Sequence, residues 1–177
     1  MIYVIDFDDT LFDRSGRFAK AAEKVGIVFK GKLYEKSKTH NIYDPKKHLK
    51  LIGKSKKEFL NVVKQSKRFL FPGIIKKLKK LGKRNKNPSL RSGTFLLRNK
   101  LILLSKGNLW FHKQKIKYSG IEKFFDEIYI TDNKLKIFQE KIIPRYGQEK
   151  IIFIDDKKEE LEQIKKIYAE IKTKNRL

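Results

Sequence analysis

Four short apolar runs punctuate an otherwise polar chain: Ile2 to Ile5, Leu101 to Leu104, Glu127 to Ile130 and Ile151 to Ile154, each rich in Ile, Leu, Val or Tyr. Runs this short, without polar alternation, read as strands covered on both faces, as in a parallel sheet. All four stop at a polar residue, namely Asp6, Ser105, Thr131 and Asp155. In an open α/β sheet those carboxyl ends border the crevice in which ligands bind. Helical patterns lie between and after the runs. Ile74 to Leu81 stops at Gly82 as its C-terminal cap, Asn108 to Tyr118 stops before Ser119 and Gly120, and Lys134 to Ile143 stops at Pro144. Lys157 to Tyr168 carries Leu161, Ile164 and Ile167 at helical spacing, with Asp156 and Glu159 placed as a capping box. The alternation predicts an α/β fold with a doubly wound sheet.

The stretch Asp13 to Phe71 breaks that alternation and reads as wholly helical, with segments at Phe18 to Val25, near Tyr34, near His48, and at Lys56 to Leu70. Ser55 and Glu58 form a capping box for the last of these. The chain therefore divides into a core, residues 1–12 and 72–177, and a helical insertion at 13–71 sitting above the first strand. Residues 83–98, KRNKNPSLRSGTFLLR, are polar, basic and broken by Pro88 and Gly93, which predicts a loop running into a hairpin. Trp110 and Phe111 fall on core positions of their helix, while YDPKKH, Tyr43 to His48, joins an aromatic, a turn and a histidine that either reach down to the substrate or leave His48 on an exposed helix face. At 177 residues the chain holds one domain with an insertion.

Composition narrows the chemistry. There is no cysteine, which excludes disulfides, thiolate metal sites and a cysteine nucleophile. No apolar run approaches the roughly 18 residues of a membrane span, so a cytoplasmic protein with no membrane partner is expected. Lys plus Arg number 44 against 20 Asp plus Glu, a net charge of +24, and no acid occurs between Glu58 and Glu122. Such a surface concentrates polyanions, so a nucleic acid stands as a candidate partner beside a small phosphorylated molecule.

Against that charge, the acids at the strand ends are conspicuous. Asp6 and Asp8 are two residues apart, so an extended backbone points both side chains the same way. Two close carboxylates repel unless a cation lies between them. Asp155 and Asp156 end another strand, and in a parallel sheet they reach the same edge. Oxygen-only ligands of this kind suit Mg²⁺.

DFDDTLF, Asp6 to Phe12, resembles the first motif of the haloacid dehalogenase-like hydrolase superfamily, a strand followed by Asp-x-Asp-x-Thr. LILLSKGN at Leu101 to Asn108 resembles the second motif and IIFIDD at Ile151 to Asp156 the fourth; FPG at Phe71 to Gly73 and Ile121 to Thr131 resemble its connecting segments. The resemblance implies a Rossmann-like parallel sheet with a small helical cap inserted after the first strand. It implies an Mg²⁺-dependent phosphatase in which Asp6 is the nucleophile forming an aspartyl-phosphate and Asp8 is the acid and base. Family members that cleave carbon–halogen bonds generally lack an acid at the second position, so Asp8 favours phosphoryl transfer. The metal set implied is Asp6, Asp8 (through its backbone carbonyl) and Asp155 or Asp156. Thr10 supports the loop on the substrate side, and Ser105, with the backbone of Lys106 and Gly107, binds the transferring phosphoryl group. The third motif is a lysine, assigned to Lys134, then Lys136, then Lys141. A small phosphorylated substrate such as a nucleotide or sugar phosphate is expected; a polynucleotide end, or nucleic-acid binding through the basic middle segment, is the alternative.

Overall fold

The computed structural model describes residues 1–83 and 98–177. The first strand, β1 (Ile2–Ile5), forms from the first apolar run. After it come a π-helical turn (Arg14–Phe18), α1 (Ala19–Glu23), α2 (Gly31–Lys36), a small hairpin of β2 (Lys38–Thr39) and β3 (Ile42–Tyr43), α3 (Pro45–Leu51), α4 (Lys56–Val63) and a 3₁₀ turn (Ser66–Phe69). The remainder runs α5 (Ile74–Gly82), β4 (Lys100–Lys106), α6 (Leu109–Ser119), a 3₁₀ turn (Glu122–Phe124), β5 (Glu127–Thr131) and α7 (Lys134–Ile137). A π turn (Phe138–Ile142), α8 (Ile143–Tyr146), β6 (Ile151–Ile154), α9 (Lys158–Ile167) and β7 (Lys172–Lys174) complete the chain.

Five strands form one sheet in the order β5-β4-β1-β6-β7, every pairing parallel. The four apolar runs fall in four of them, β1, β4, β5 and β6, as expected. β1, β4 and β6 bury nearly every residue because helices cover both faces, which is why their sequences do not alternate. One apolar cluster, with Val4, Ile102, Phe138 and Phe153, lies under one face. The other, with Ile5, Leu103 and Phe111, continues without a break into the 13–71 segment through Phe18 and Phe59. Ring centroids there are 5.8 Å apart for Phe18 and Phe111 and 5.2 Å for Phe59 and Phe111. The insertion thus shares its core with the sheet.

Several local expectations are corrected. The insertion is not wholly helical, because Thr39 to Ile42 closes the β2–β3 hairpin through His40 and Asn41, both with positive φ. β7 was not foreseen: KTK at an exposed edge has no apolar run to betray it. Gly82 does not end α5 in a left-handed cap; it is the last helical residue, and the Asn99 side chain donates instead to the carbonyls of Leu81 and Lys83. Pro144 does not stop its helix. The preceding π turn shifts the ladder so that Pro144 sits in the first turn of α8, where its missing N–H has no intrahelical partner to lose. Asp156 and Glu159 make no capping box, since Lys157 is the N-cap residue and Asp156 is engaged by Thr10. The Ser55–Glu58 box forms as expected. His48 is not exposed but 1% accessible, packed with its Nδ1 3.0 Å from the Tyr43 hydroxyl. The predicted loop-to-hairpin at 83–98 falls almost wholly on 84–97, outside the described residues.

Candidate active site

β1 and β6 are neighbours with Ile5 opposite Ile154, so the residues after each strand emerge side by side. Asp6 still belongs to the ladder through its N–H, which donates to the Ile154 carbonyl at 2.9 Å. One carboxylate oxygen from each of Asp6, Asp155 and Asp156 lies within 4.8 Å of the other two. Asp6 and Asp155 are buried and Asp156 half-buried. Lys134, the first residue of α7 after the N-cap Asn133, enters from the β5 side. Its Nζ lies 2.7 Å from Asp6 Oδ1 and 2.5 Å from Asp155 Oδ2. Lys136 points outward toward Glu140, and Lys141 is exposed. Of the three candidate lysines, the structure brings only Lys134 to the carboxylates.

Burial, reinforced by the Asp155 charge and opposed by Lys134, pushes the Asp6 carboxyl up to about 7. Burial lowers Lys134, but Asp6 and Asp155 outweigh it and hold the ammonium above its ordinary range. Asp6, Asp155 and Asp156 thus converge where a single buried ammonium meets two of them, and the proton that burial favours on Asp6 is one that a cation can replace. An all-oxygen donor set of this kind fits a hard divalent cation. Both Asp155 and Asp156 contribute to the cluster, where the resemblance implied one or the other; the ligand it implied at Asp8 was the backbone carbonyl, and the Asp8 carboxylate stands outside the cluster.

Asp8 turns the other way. Its two oxygens lie 2.5 and 2.6 Å from Nζ of Lys115, which projects from α6 and is wholly buried. His112 Nε2, one helical turn earlier, is 3.2 Å from the same carboxylate, and Arg14 Nε is 3.9 Å away. Burial pushes the Asp8 carboxyl up, but Lys115 first, then His112 and Arg14, hold it far below the usual carboxylate range. Asp9 takes a left-handed backbone (φ 59°) and accepts from both the N–H and the hydroxyl of Ser15, closing the loop after β1.

Thr10 does not line the cleft. It is a buried staple between the two acidic strand ends, its Oγ1 accepting from the Asp156 N–H at 3.0 Å and donating to Asp156 Oδ1 at 3.3 Å. Ser105 lies two residues beyond the Leu103–Ile5 pair, and its buried Oγ has no hydrogen-bond partner among the described residues. An orphaned hydroxyl at a strand end is a ready donor for an anionic oxygen. Gly107 (φ 156°) must be glycine, since a Cβ there would lie 2.0 Å from the His112 ring.

Above this floor lies a cleft of about 270 Å³. The sheet edge contributes Asp6, Asp8, Lys106, Gly107, Lys134 and Lys157, while the insertion contributes Arg14, Tyr34, Lys38, Asn41, Ile42 and Tyr43. Sequence reasoning missed Lys115, His112, Arg14 and Tyr34; Tyr43 opens YDPKKH, a stretch it had raised as able to reach the substrate. The pairing of His112 with Lys115 at a three-residue spacing was a signal, but one hidden among 44 basic residues.

A parallel sheet with acids gathered at the carboxyl ends of its strands, under an insertion that follows the first strand, defines an α/β protein of the haloacid dehalogenase-like fold, and solved structures agree. A haloacid dehalogenase-like hydrolase from Burkholderia xenovorans LB400 superposes with a TM-score of 0.67 at 19% identity, covering 97% of this chain and 81% of that one. A Clostridium difficile protein designated a phosphatase gives 0.58 at 18% identity, covering 97% and 82%. L-2-haloacid dehalogenase from Xanthobacter autotrophicus gives 0.51 at 17% identity, covering 86% and 68%. No family model matches the sequence, and neither does any curated protein. The chain therefore has the haloacid dehalogenase-like hydrolase fold, with an acidic cluster suited to a divalent metal.

Proposed function

We propose that the protein is an Mg²⁺-dependent phosphohydrolase acting on a small phosphorylated molecule. The observation that carries this reading is the floor of the cleft: a buried carboxylate, Asp6, held against Lys134 within a three-carboxylate cluster, with a second acid, Asp8, facing the same cleft. Asp8 favours phosphoryl transfer over the dehalogenation named for one structural neighbour. Asp6, Asp155 and Asp156 would hold Mg²⁺, which when bound neutralises the floor and lets an anionic substrate approach an anionic nucleophile.

In the chemistry proposed, an Asp6 oxygen attacks phosphorus, the bond to the leaving oxygen breaks, and an aspartyl-phosphate forms with release of the alcohol. Lys134 offsets the charge on Asp6, while the Ser105 hydroxyl and the backbone of Lys106 and Gly107 receive phosphoryl oxygens. The approach of a phosphate dianion raises the proton affinity of Asp8, so that Asp8 takes up a proton and delivers it to the leaving oxygen. Asp8, ionised again, accepts a proton from the water that attacks phosphorus, and inorganic phosphate and free Asp6 are regenerated. The small cleft, roofed by the β2–β3 hairpin, favours a nucleotide or sugar phosphate over a polynucleotide end.

The test is phosphate release from a panel of nucleotides, sugar phosphates and 5′- or 3′-phosphorylated DNA, with Mg²⁺ or with EDTA. Metal-dependent turnover of the small esters is expected. Release from DNA ends alone, collapsing with salt, would overturn the substrate class, and metal-independent release would overturn the mechanism.

A further inference from the structure

The most unusual side chain in the molecule is Lys115, a fully buried lysine that no expectation included. It reaches from the middle of α6 between the rings of Phe111, Phe7 and Phe12, whose centroids lie 4.4, 5.3 and 5.4 Å from Nζ. Both oxygens of Asp8 end on its ammonium. Burying an ammonium among aromatic rings is costly unless a counter-charge meets it, so Lys115 and Asp8 depend on each other. The neighbourhood is shaped around the same pair. His112 brings Nε2 to Asp8 from one turn earlier while its Nδ1 faces the Asn108 carbonyl at 3.1 Å, and Gly107 is confined to glycine by that ring.

We infer that Lys115, aided by His112, is the positioning residue for Asp8: it fixes where the Asp8 carboxyl stands in the cleft and receives the negative charge left on it once its proton has gone to the leaving group. This rests on the phosphohydrolase reading above. Lys115 lies behind Asp8 and does not line the cleft, so it acts through that side chain and not on the substrate.

A positioning role has a signature that simple structural support lacks, because a poor leaving group needs the proton and a good one does not. Lys115→Met keeps an unbranched side chain one atom shorter and removes the charge. Steady-state rates are measured with Mg²⁺ on an alkyl phosphate accepted by the wild type and on p-nitrophenyl phosphate. The expected result is a fall in kcat of about 100-fold for the alkyl ester, the lower end of what general acid catalysis supplies, and less than about tenfold for the aryl ester. In the Asp8→Asn background, Lys115→Met should cost kcat nothing further, because the group through which it acts has gone. That double variant also removes both charges together, so its comparison with Asp8→Asn keeps the assignment testable even where the single variant loses stability. Equal losses on the two esters, or a further loss in the Asp8→Asn background, would overturn the assignment. Absence of any turnover by the wild type would overturn the phosphohydrolase reading itself, and the role of Lys115 with it.

Discussion

Asp6 is the residue whose environment says most. Its carboxyl is raised to about 7 chiefly by burial, so in the metal-free protein it holds a proton that the unfolded chain releases at ordinary carboxylate values. Between those values the native state binds more protons than the unfolded state, and Asp6 makes metal-free stability fall as pH rises toward about 7. Asp6→Asn should flatten that slope in urea titrations run across the interval. The same proton competes with a metal. Mg²⁺ affinity should therefore weaken by about tenfold per pH unit below the Asp6 value, measurable by calorimetry, whereas a pH-independent affinity would remove Asp6 from the ligand set. Asp6→Asn should also lower turnover by at least about 1,000-fold while leaving the near-UV circular dichroism unchanged. The Asp6 and Asp155 positions were legible in the sequence because strand ends announce themselves. Lys115 was not, because a buried lysine and a surface lysine are written alike.

At the scale of elements, the site is made at junctions. The β4–α6 junction places Ser105, Lys106 and Gly107 in succession, and the close approach of the His112 ring leaves no room for a side chain at Gly107. Gly107→Ala should destabilise the protein by about 3 kcal/mol and sharply reduce turnover, since relief of the clash moves His112 away from Asp8. A thermal-denaturation series paired with activity checks it; an active, unshifted variant would mean that the junction tolerates a different path. The β2–β3 hairpin brings Asn41, Ile42 and Tyr43 over the cleft on a turn whose two central residues both have positive φ. Asn41→Val places a β-branched residue in that conformation, and the expected effect is a several-fold rise in KM with kcat little changed. The hairpin escaped the sequence reading because two-residue strands have no periodicity to detect.

The whole molecule is a positively charged body, +24 in net charge, around a floor of acids. Among the described residues no helix is long and apolar enough to cross a membrane. Long-range attraction should draw phosphorylated substrates toward the cleft, so kcat/KM for a phosphate dianion is expected to fall several-fold between about 50 and about 500 mM salt, with kcat nearly constant. A salt-independent kcat/KM would mean that the surface charge does not steer substrate. Periodicity and strand-end chemistry, which are local properties of the chain, sufficed to determine the four buried strands, the α/β class and the acids at the sheet edge. Tertiary structure brought the first-ranked lysine, Lys134, to Asp6 while leaving Lys136 and Lys141 outside, and it alone decided that Asp155 and Asp156 both join the cluster and that Lys115 and His112 stand against Asp8. Those choices depend on which groups a fold brings within a few ångströms across 20 to 130 residues of chain, and proximity at that separation leaves no mark on local pattern.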